Sequence, residues 1–151
     1  MRYSTEMIVN VPRGRFVELF DNPANMPKWQ PKLISFDHVS GTPGHPGATS
    51  RLVYKMGGGT MEMIETISSR NLPDEFSGTY DAKGVHNIVI NHFYDEGNAT
   101  RWVLDTEFQC TGFLVKLMSL LMPGMFKSET RKQMSSFKQF AESEYAREHA
   151  S

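Results

Sequence analysis

The chain has 151 residues, and its 16 basic and 17 acidic side chains leave a formal net charge of −1. This length is close to that of one ordinary domain and is enough to bury a core without a metal or a disulfide, so we expect a single domain over residues 1–151 and no cofactor. The charge balance excludes a general nucleic-acid binder, because such proteins need a basic excess to neutralise phosphates.

The cysteine content and the N-terminal residues indicate a reducing compartment. Cys110 is the only cysteine, which excludes an internal disulfide and a multi-cysteine zinc site. Residues 1–6 contain no charged segment followed by an apolar one, so no secretory signal is visible. We therefore expect a cytoplasmic protein.

The first third of the chain predicts one strand and then short helices. Residues 3–11 are rich in β-branched and apolar side chains and end at Pro12, which cannot donate to a sheet. Apolar side chains then follow helical spacing over residues 16–20, until Asn22-Pro23 ends the helix. Residues 25–29 predict one more helical turn.

The middle of the chain predicts antiparallel strands. Turn-forming residues recur at 43–47, 57–59, 72–74, 83–84 and 96–98, and these five turns delimit six strands between residues 33 and 109. The spacing leaves no room for crossover helices, so consecutive strands should form hairpins.

Alternation within these strands predicts which side chains face the core. For the hairpin around the glycine turn 57–59, the predicted pairs are Met56 with Met61, Tyr54 with Met63 and Leu52 with Glu65. In the last strand one face carries Thr100, Trp102, Leu104, Thr106 and Phe108. A sheet with one apolar face needs a cover.

The C-terminal segment predicts a long amphipathic helix, kinked or broken at Pro123, that would cover the apolar face of the sheet. Its apolar positions are Phe126, Thr130, Met134, Phe137 and Ala141. The apolar stretch before the break, residues 113–122, is shorter than the ~20 residues of a membrane span and contains Lys116. We therefore predict no transmembrane segment.

Six short motifs occur in this order: residues 9–12, residues 16–21, Trp29 with Pro31, Gly47, residues 100–102 and residues 137–142. Together with the order of elements, they resemble the START and polyketide-cyclase-like (SRPBCC) superfamily, which shares its fold with the birch pollen allergen. The resemblance implies an α+β helix-grip fold, in which a curved antiparallel sheet of about seven strands wraps around a long C-terminal helix. It also implies a cavity between them that often binds a hydrophobic ligand, although members include carriers, aromatase/cyclases and hydrolases.

Methionines and aromatic residues are the candidates for lining such a cavity. Thioethers adapt to varied apolar shapes, and large aromatic rings line pockets and cores alike, so filling of an ordinary core is the alternative interpretation. The methionines predicted to face inward are Met56, Met61, Met63, Met118, Met122, Met125 and Met134. The aromatic candidates are Trp29, Tyr54, Phe76, Tyr80, Trp102 and Phe126.

Polar candidates come from the predicted apolar face of the sheet. Glu65 should lie there with a raised pKa, where it could orient a ligand or act as a general acid or base. The alternative is a strand slip or bulge that turns Glu65 to solvent, or a structural hydrogen bond from Tyr54 or Arg70. Asn87 and Asn91 alternate with His86 and His92, and the period alone does not decide which pair faces inward.

We therefore expect a monomer or weak homodimer that binds a lipid-, polyketide- or isoprenoid-like molecule between the sheet and the C-terminal helix, with its opening near Trp29 and residues 57–60. A void of ~300 Å³ or more would favour this hypothesis. One alternative is a cyclase, aromatase or hydrolase that uses Glu65 or Tyr80. A filled core would instead favour a protein-interaction module. Histidine spacing predicts no metal site.

Overall fold

The computed structural model describes residues 1–150, with the side chains of 114, 119 and 123 left aside. The secondary-structure elements follow the predicted order, with short helices after the first strand and the longest helix at the C-terminus. The strands are β1 Arg2–Val9, β2 Leu33–Ser40, β3 Thr49–Met56, β4 Gly59–Asn71, β5 Glu75–Ala82, β6 Val85–Asp95 and β7 Thr100–Cys110. The helices are α1 Arg13–Phe20, α2 Met26–Trp29, α3 Phe113–Leu121 and α4 Pro123–Glu148, with a 3-10 turn at Pro23–Asn25.

The strands form one seven-stranded sheet in the order β1-β7-β6-β5-β4-β3-β2. Every neighbouring pair is antiparallel. Consecutive strands from β2 to β7 pair as hairpins because their connections are too short for crossovers. The helix-grip fold predicted from the sequence is confirmed.

The register of the β3–β4 hairpin differs from the prediction by two residues. Met56 pairs with Gly59, and Tyr54 pairs with Met61 rather than Met63. The chain turns within Gly57 and Gly58, and Gly57 takes a φ of +56° that favours glycine. A two-residue turn brings the strands together sooner than the predicted four-residue loop. A shift of two residues preserves the faces, so Glu65 remains on the predicted side.

The C-terminal segment is broken at the predicted position. α3 ends at Leu121, and Met122 leaves helical geometry before Pro123 starts α4. α4 then runs along the edge strand β1, where Tyr3 and Thr130 hydrogen bond at 2.7 Å and Lys138 Nζ donates to the carbonyl of Ile8 at 2.8 Å.

The core lies where α1, α2 and α4 meet the β1, β6 and β7 end of the sheet. Phe137 of α4 is fully buried, and its ring centroid lies 4.9 Å from that of Phe16, 5.1 Å from that of Trp29 and 5.4 Å from that of Trp102. Met134 and Ala141 are buried on the same face of the helix. The predicted apolar positions of α4 therefore fill this space.

The tertiary structure resolves the mixed pattern of β6. Asn91 and Phe93 are buried, and Phe93 pairs with the buried Trp102 of β7. The odd-numbered residues, which include Asn87, therefore face inward. His86 and His92 lie on the other face, beside Asp81 and Asp105 respectively.

Candidate functional site

A pocket of about 150 Å³ opens between the α1–α2 segment and the half of the sheet formed by β2 to β5. Apolar and aromatic side chains make up most of its wall, and a few polar groups lie among them. Its lining consists of Phe20, Asp21, Pro23, Met26, Trp29, Gln30, Phe36, His38, Pro43, Gly44, Ser50, Glu65, Ile67, Phe76 and Tyr80.

Local sequence explains how the helical side of the pocket is built. Asn22 accepts a hydrogen bond from the amide of Ala24 at 3.0 Å, and Pro23 starts the 3-10 turn, so the chain reverses after α1. The buried Asn25 donates to the carbonyl of Leu19 at 3.1 Å and ties the turn back to α1. This reversal presents Trp29, the last residue of α2, and the following Gln30 to the sheet.

The sheet contributes an acidic group to the pocket. Glu65 of β4 pairs across the strands with Tyr80 of β5, and the Tyr80 hydroxyl interacts with the Glu65 carboxylate. Next to them, the Tyr54 hydroxyl donates to Oε1 of Gln30 at 2.6 Å. One carboxyl, two phenols and one amide therefore lie together beneath α2.

Burial controls the ionisation of this cluster. It raises the pKa of Glu65, and the Tyr80 hydroxyl offsets part of that rise. Burial is also the largest cause of the raised pKa of Tyr54 and of Tyr80, and the negative charge of Glu65 raises both further. In the part of the chain that the structure describes, no cation contributes to the pKa shift of Glu65.

One polar group beside the pocket lacks a hydrogen-bond partner. Trp29 is buried, and its indole N–H makes no hydrogen bond within residues 1–150. Buried donors are nearly always paired in native proteins, so an unpaired one that borders a pocket is a candidate for contact with a ligand.

A β-bulge positions Arg70 beside the pocket, where it joins Asp21 and Gly44 in an arrangement that we call the clasp. The β4–β5 register shifts between Ile67 and Ser69, so Arg70 shares the inner face with Glu65 instead of following the outward alternation. Arg70 there makes a bidentate ion pair with Asp21 at 2.8 and 2.6 Å and donates to the carbonyl of Gly44 at 3.1 Å. The clasp joins α1, the 41–48 loop and β4.

The opening of the pocket lies at the end of the sheet that holds this loop. Its exposed lining residues are Pro23, His38 and Pro43. Residues 57–60, where the sequence analysis placed the opening, are at the opposite end of β3 and β4 and do not line the pocket. The expected position beneath α4 also differs, because Met134 and Phe137 fill that space and α1 and α2 cover the pocket instead.

The pocket contains four of the predicted site residues, and Tyr54 contacts it through Gln30. These four are Trp29, Glu65, Phe76 and Tyr80.

Five other predicted residues, including Trp102, have structural contacts outside the pocket. Asn91 donates to the carbonyl of Phe76 and accepts from the Trp102 indole at 2.9 Å, so it anchors a core ring. Asn87 donates to Thr106 Oγ1 at 2.7 Å. Met134 is buried in the core, and Phe126 packs against Phe108 with ring centroids 4.9 Å apart.

The prediction that all seven methionines face inward is wrong for three of them. Met56, Met118 and Met122 are exposed, whereas Met61, Met63 and Met125 are half-buried. Met56 ends β3 opposite Gly59, which has no side chain to pack against it. Met118 lies in α3 and Met122 follows it, and the start of α3 lies against the turn between β5 and β6.

Several pocket residues gave no signal in the sequence. Gln30 and Ser50 belong to common polar types without a motif around them. Beside the pocket, Arg70 points inward because of the bulge. The residues that the structure describes contain no group of three metal-ligating side chains. Nor do they contain a helix with the length and apolar content needed to cross a bilayer.

Solved structures share this architecture at low sequence identity. Ara h 8.0201 is 14% identical, with a TM-score of 0.78 over 95% of this chain and 98% of that chain. The Zhui aromatase/cyclase from Streptomyces sp. R1128 is 12% identical, with a TM-score of 0.77 over 99% and 96%. Norcoclaurine synthase from Thalictrum flavum, in complex with dopamine and hydroxybenzaldehyde, is 13% identical, with a TM-score of 0.70 over 100% and 88%.

These similarities confirm the predicted resemblance at the level of the fold. No protein-family model matches the sequence, and no curated protein matches it either.

Proposed function

We propose that this chain binds a small, mainly hydrophobic organic molecule that has one ring-sized apolar body and one polar group directed at Glu65. The observation that carries the proposal is one largely apolar pocket that holds the buried Glu65 carboxyl and borders the unpaired indole N–H of Trp29. Among the residues described, the Glu65 carboxyl interacts with the Tyr80 hydroxyl and forms no salt bridge, and the Trp29 indole has no hydrogen-bond acceptor.

The size of the pocket supports a ligand smaller than the lipid, polyketide or isoprenoid expected from the sequence. Its volume of about 150 Å³ falls below the ~300–1,000 Å³ of sites for drug-sized molecules. An apolar protein cavity of about 150 Å³ is large enough for benzene. The rings of Phe20, Trp29 and Phe76 would cover such a ring and supply its apolar contact.

The polar group of the ligand follows from the chemistry of Glu65. A hydroxyl or an ammonium group donates to a carboxylate, and an ammonium group would also supply the missing opposite charge. Nearby aromatic faces favour a cation as well. A ring with no polar group would leave Glu65 without a partner for its charge and should bind more weakly.

Three one-ring probes test this function: toluene, benzyl alcohol and benzylamine. In titrations followed by NMR chemical shifts, we expect both polar probes to bind more tightly than toluene. Glu65→Gln should weaken benzylamine binding about tenfold or more, because hydrogen bonds to charged groups contribute roughly 1.5–3 kcal/mol. It should leave toluene binding unchanged.

Two variants serve as controls in that titration. Glu62→Gln changes a neighbouring carboxylate on the outer face, which is paired with Arg51, and should bind all probes as the wild type does. Ser50→Leu fills the buried lining position at Ser50 and should exclude all three probes while the protein stays folded. The proposal fails if no probe binds the wild type, or if Glu65→Gln binds benzylamine with wild-type affinity.

A second candidate function is acid–base catalysis in the same pocket. The specific observation in its favour is a carboxyl with a raised pKa beside the Tyr80 hydroxyl, in largely apolar surroundings. The fold is shared with the aromatase/cyclase and with norcoclaurine synthase, which fits either function.

Proton exchange provides a test of that chemistry on a one-ring substrate. If Glu65 acts as a base, the protein should accelerate deuterium exchange of the α-protons of phenylacetaldehyde in D₂O, and Glu65→Gln should abolish the acceleration. Tyr80→Phe should retain the base and lose only part of the rate. Equal exchange rates with and without the wild-type protein would leave binding as the function.

A further inference from the structure

The other end of the molecule carries an exposed apolar helix face that the ligand pocket does not use. Phe113, Leu117, Leu120 and Leu121 of α3 are spaced i, i+4, i+7 and i+8, which places them on one face of the helix. Their exposed fractions are 77%, 40%, 72% and 71%. Contiguous apolar patches of this kind usually mark sites of contact with a partner or a membrane.

The neighbouring elements fix the direction of this face. The amide of Thr111 donates to the carbonyl of Gly84 at 2.8 Å, so the start of α3 lies against the β5–β6 turn. Val115 is half-buried and would contact a side chain added at Gly84. The side of α3 that carries Val115 therefore packs on the sheet end, and the exposed face points away from it.

Three lysines lie on α3 and on the elements next to it. Lys83 lies in the β5–β6 turn beside the start of α3, Lys116 lies on α3 itself, and Lys127 lies in the second turn of α4 just beyond its end. All three are exposed, and neither Lys83 nor Lys127 forms a salt bridge within residues 1–150. The nearest acid on α4, Glu129, is paired with Lys132.

We propose that α3 and these lysines form a surface that binds the anionic face of a lipid bilayer, with the helix lying in the membrane interface. A nine-residue helix is ~13.5 Å long, far short of a ~30 Å hydrocarbon core, so it would insert side chains without spanning. Apolar side chains between basic ones are typical of interfacial helices.

Charge favours a lipid surface over a second copy of this chain. A symmetric dimer brings one patch against the same patch, which would gather the lysines of both copies at one interface. Lysine is also depleted at protein interfaces, and a stable interface buries about 800 Å² on each partner, more than one short helix offers. The anionic headgroups of a lipid bilayer would instead complement the positive charge of these lysines.

Co-sedimentation of the full chain with vesicles tests the proposal. We expect binding to vesicles of mixed phosphatidylcholine and phosphatidylserine, and little binding to phosphatidylcholine alone. The double variant Leu120→Glu, Leu121→Glu should abolish binding, and Ile34→Glu, at an exposed apolar position on β2, should leave it unchanged. Lys83→Ala and Lys127→Ala should each weaken binding roughly fivefold.

Several outcomes would overturn this inference. Full binding by the glutamate double variant would show that α3 is not the contact surface, and equal binding to neutral and anionic vesicles would remove the role of the lysines. Concentration-dependent dimers in analytical ultracentrifugation that the double variant dissolves, without vesicle binding by the wild type, would assign the face to a second copy. Unchanged thermal unfolding of each variant shows that it remains folded.

Discussion

Glu65 is an ionisable side chain at a position where ionisation is disfavoured. Burial raises its pKa, and the Tyr80 hydroxyl lessens that rise without removing it. The folded-state pKa therefore exceeds the unfolded one. Stability linked to this residue is complete below the unfolded pKa and is lost as the pH rises through the folded pKa.

We predict that Glu65→Gln removes this pH dependence. The variant and the wild type should unfold at the same temperature at pH 4, and the variant should become progressively more stable than the wild type as the pH rises. Each kcal/mol of difference corresponds to about 2–4 °C in a protein of this size. Thermal unfolding followed by circular dichroism between pH 4 and pH 8 measures the difference.

Glu62→Gln is the matched control for this series. Glu62 is exposed on the same strand, and its hydrogen bond with Arg51 lowers its pKa, so its replacement should not stabilise the protein at high pH. A Glu65→Gln variant whose unfolding temperature differs from the wild type by the same amount at every pH would contradict the assigned burial.

At the scale of the elements, the clasp formed by Arg70, Asp21 and Gly44 joins β4, the end of α1 and the 41–48 loop. The pair is only partly buried, so its contribution to global stability should be modest. Its local effect is different, because the same guanidinium joins the end of α1 to the 41–48 loop beside the pocket opening. The loop amides are also held by the sheet, as in the hydrogen bond from Gly47 to the carbonyl of Ile67 at 2.8 Å.

We predict that Arg70→Gln loosens this loop more than it destabilises the molecule. Amide hydrogen exchange at Gly47 and Ala48 should be roughly fivefold faster, and the free energy of unfolding should fall by about 1 kcal/mol or less. Arg51→Gln breaks the pair with Glu62 on the β3–β4 hairpin and should leave exchange in the loop unchanged. Unaltered exchange in Arg70→Gln would show that the clasp does not hold the loop.

At the scale of the whole molecule, α4 completes the aromatic core. Phe137 contacts aromatic rings from α1, α2 and β7, whereas the half-buried Phe140 lies one turn further along and has its ring centroid 6.1 Å from that of Phe137. The aromatic core and the pocket share Trp29, so packing at Phe137 also supports the helical wall of the pocket.

We predict that Phe137→Ala costs about 3–5 kcal/mol of unfolding free energy, because it leaves a cavity among rings that cannot collapse into it. Phe140→Ala should cost clearly less, since part of its side chain is already in contact with water. Urea denaturation measures both values. Similar losses in the two variants would contradict the central position of Phe137.

The order of elements could be read from local patterns. Alternation over β7 and the apolar spacing of α4 predicted their buried faces, and Pro123 predicted the break between α3 and α4. Glu65 was placed on the inner face despite the wrong register, since an error of two residues does not change the face of a strand. These features depend on backbone geometry and on neighbours a few positions away.

Contacts between distant segments decided the rest. Both faces of β6 are mixed, and only the packing of Phe93 against α1 and Trp102 selects the one that turns inward. The bulge between Ile67 and Ser69 directs Arg70 toward Asp21, and the reversal at Pro23 brings α2 to the pocket. The pocket is the space left where the α1–α2 segment and the sheet do not pack tightly against each other. Its position and volume therefore depend on both elements, and periodicity within one element cannot specify them.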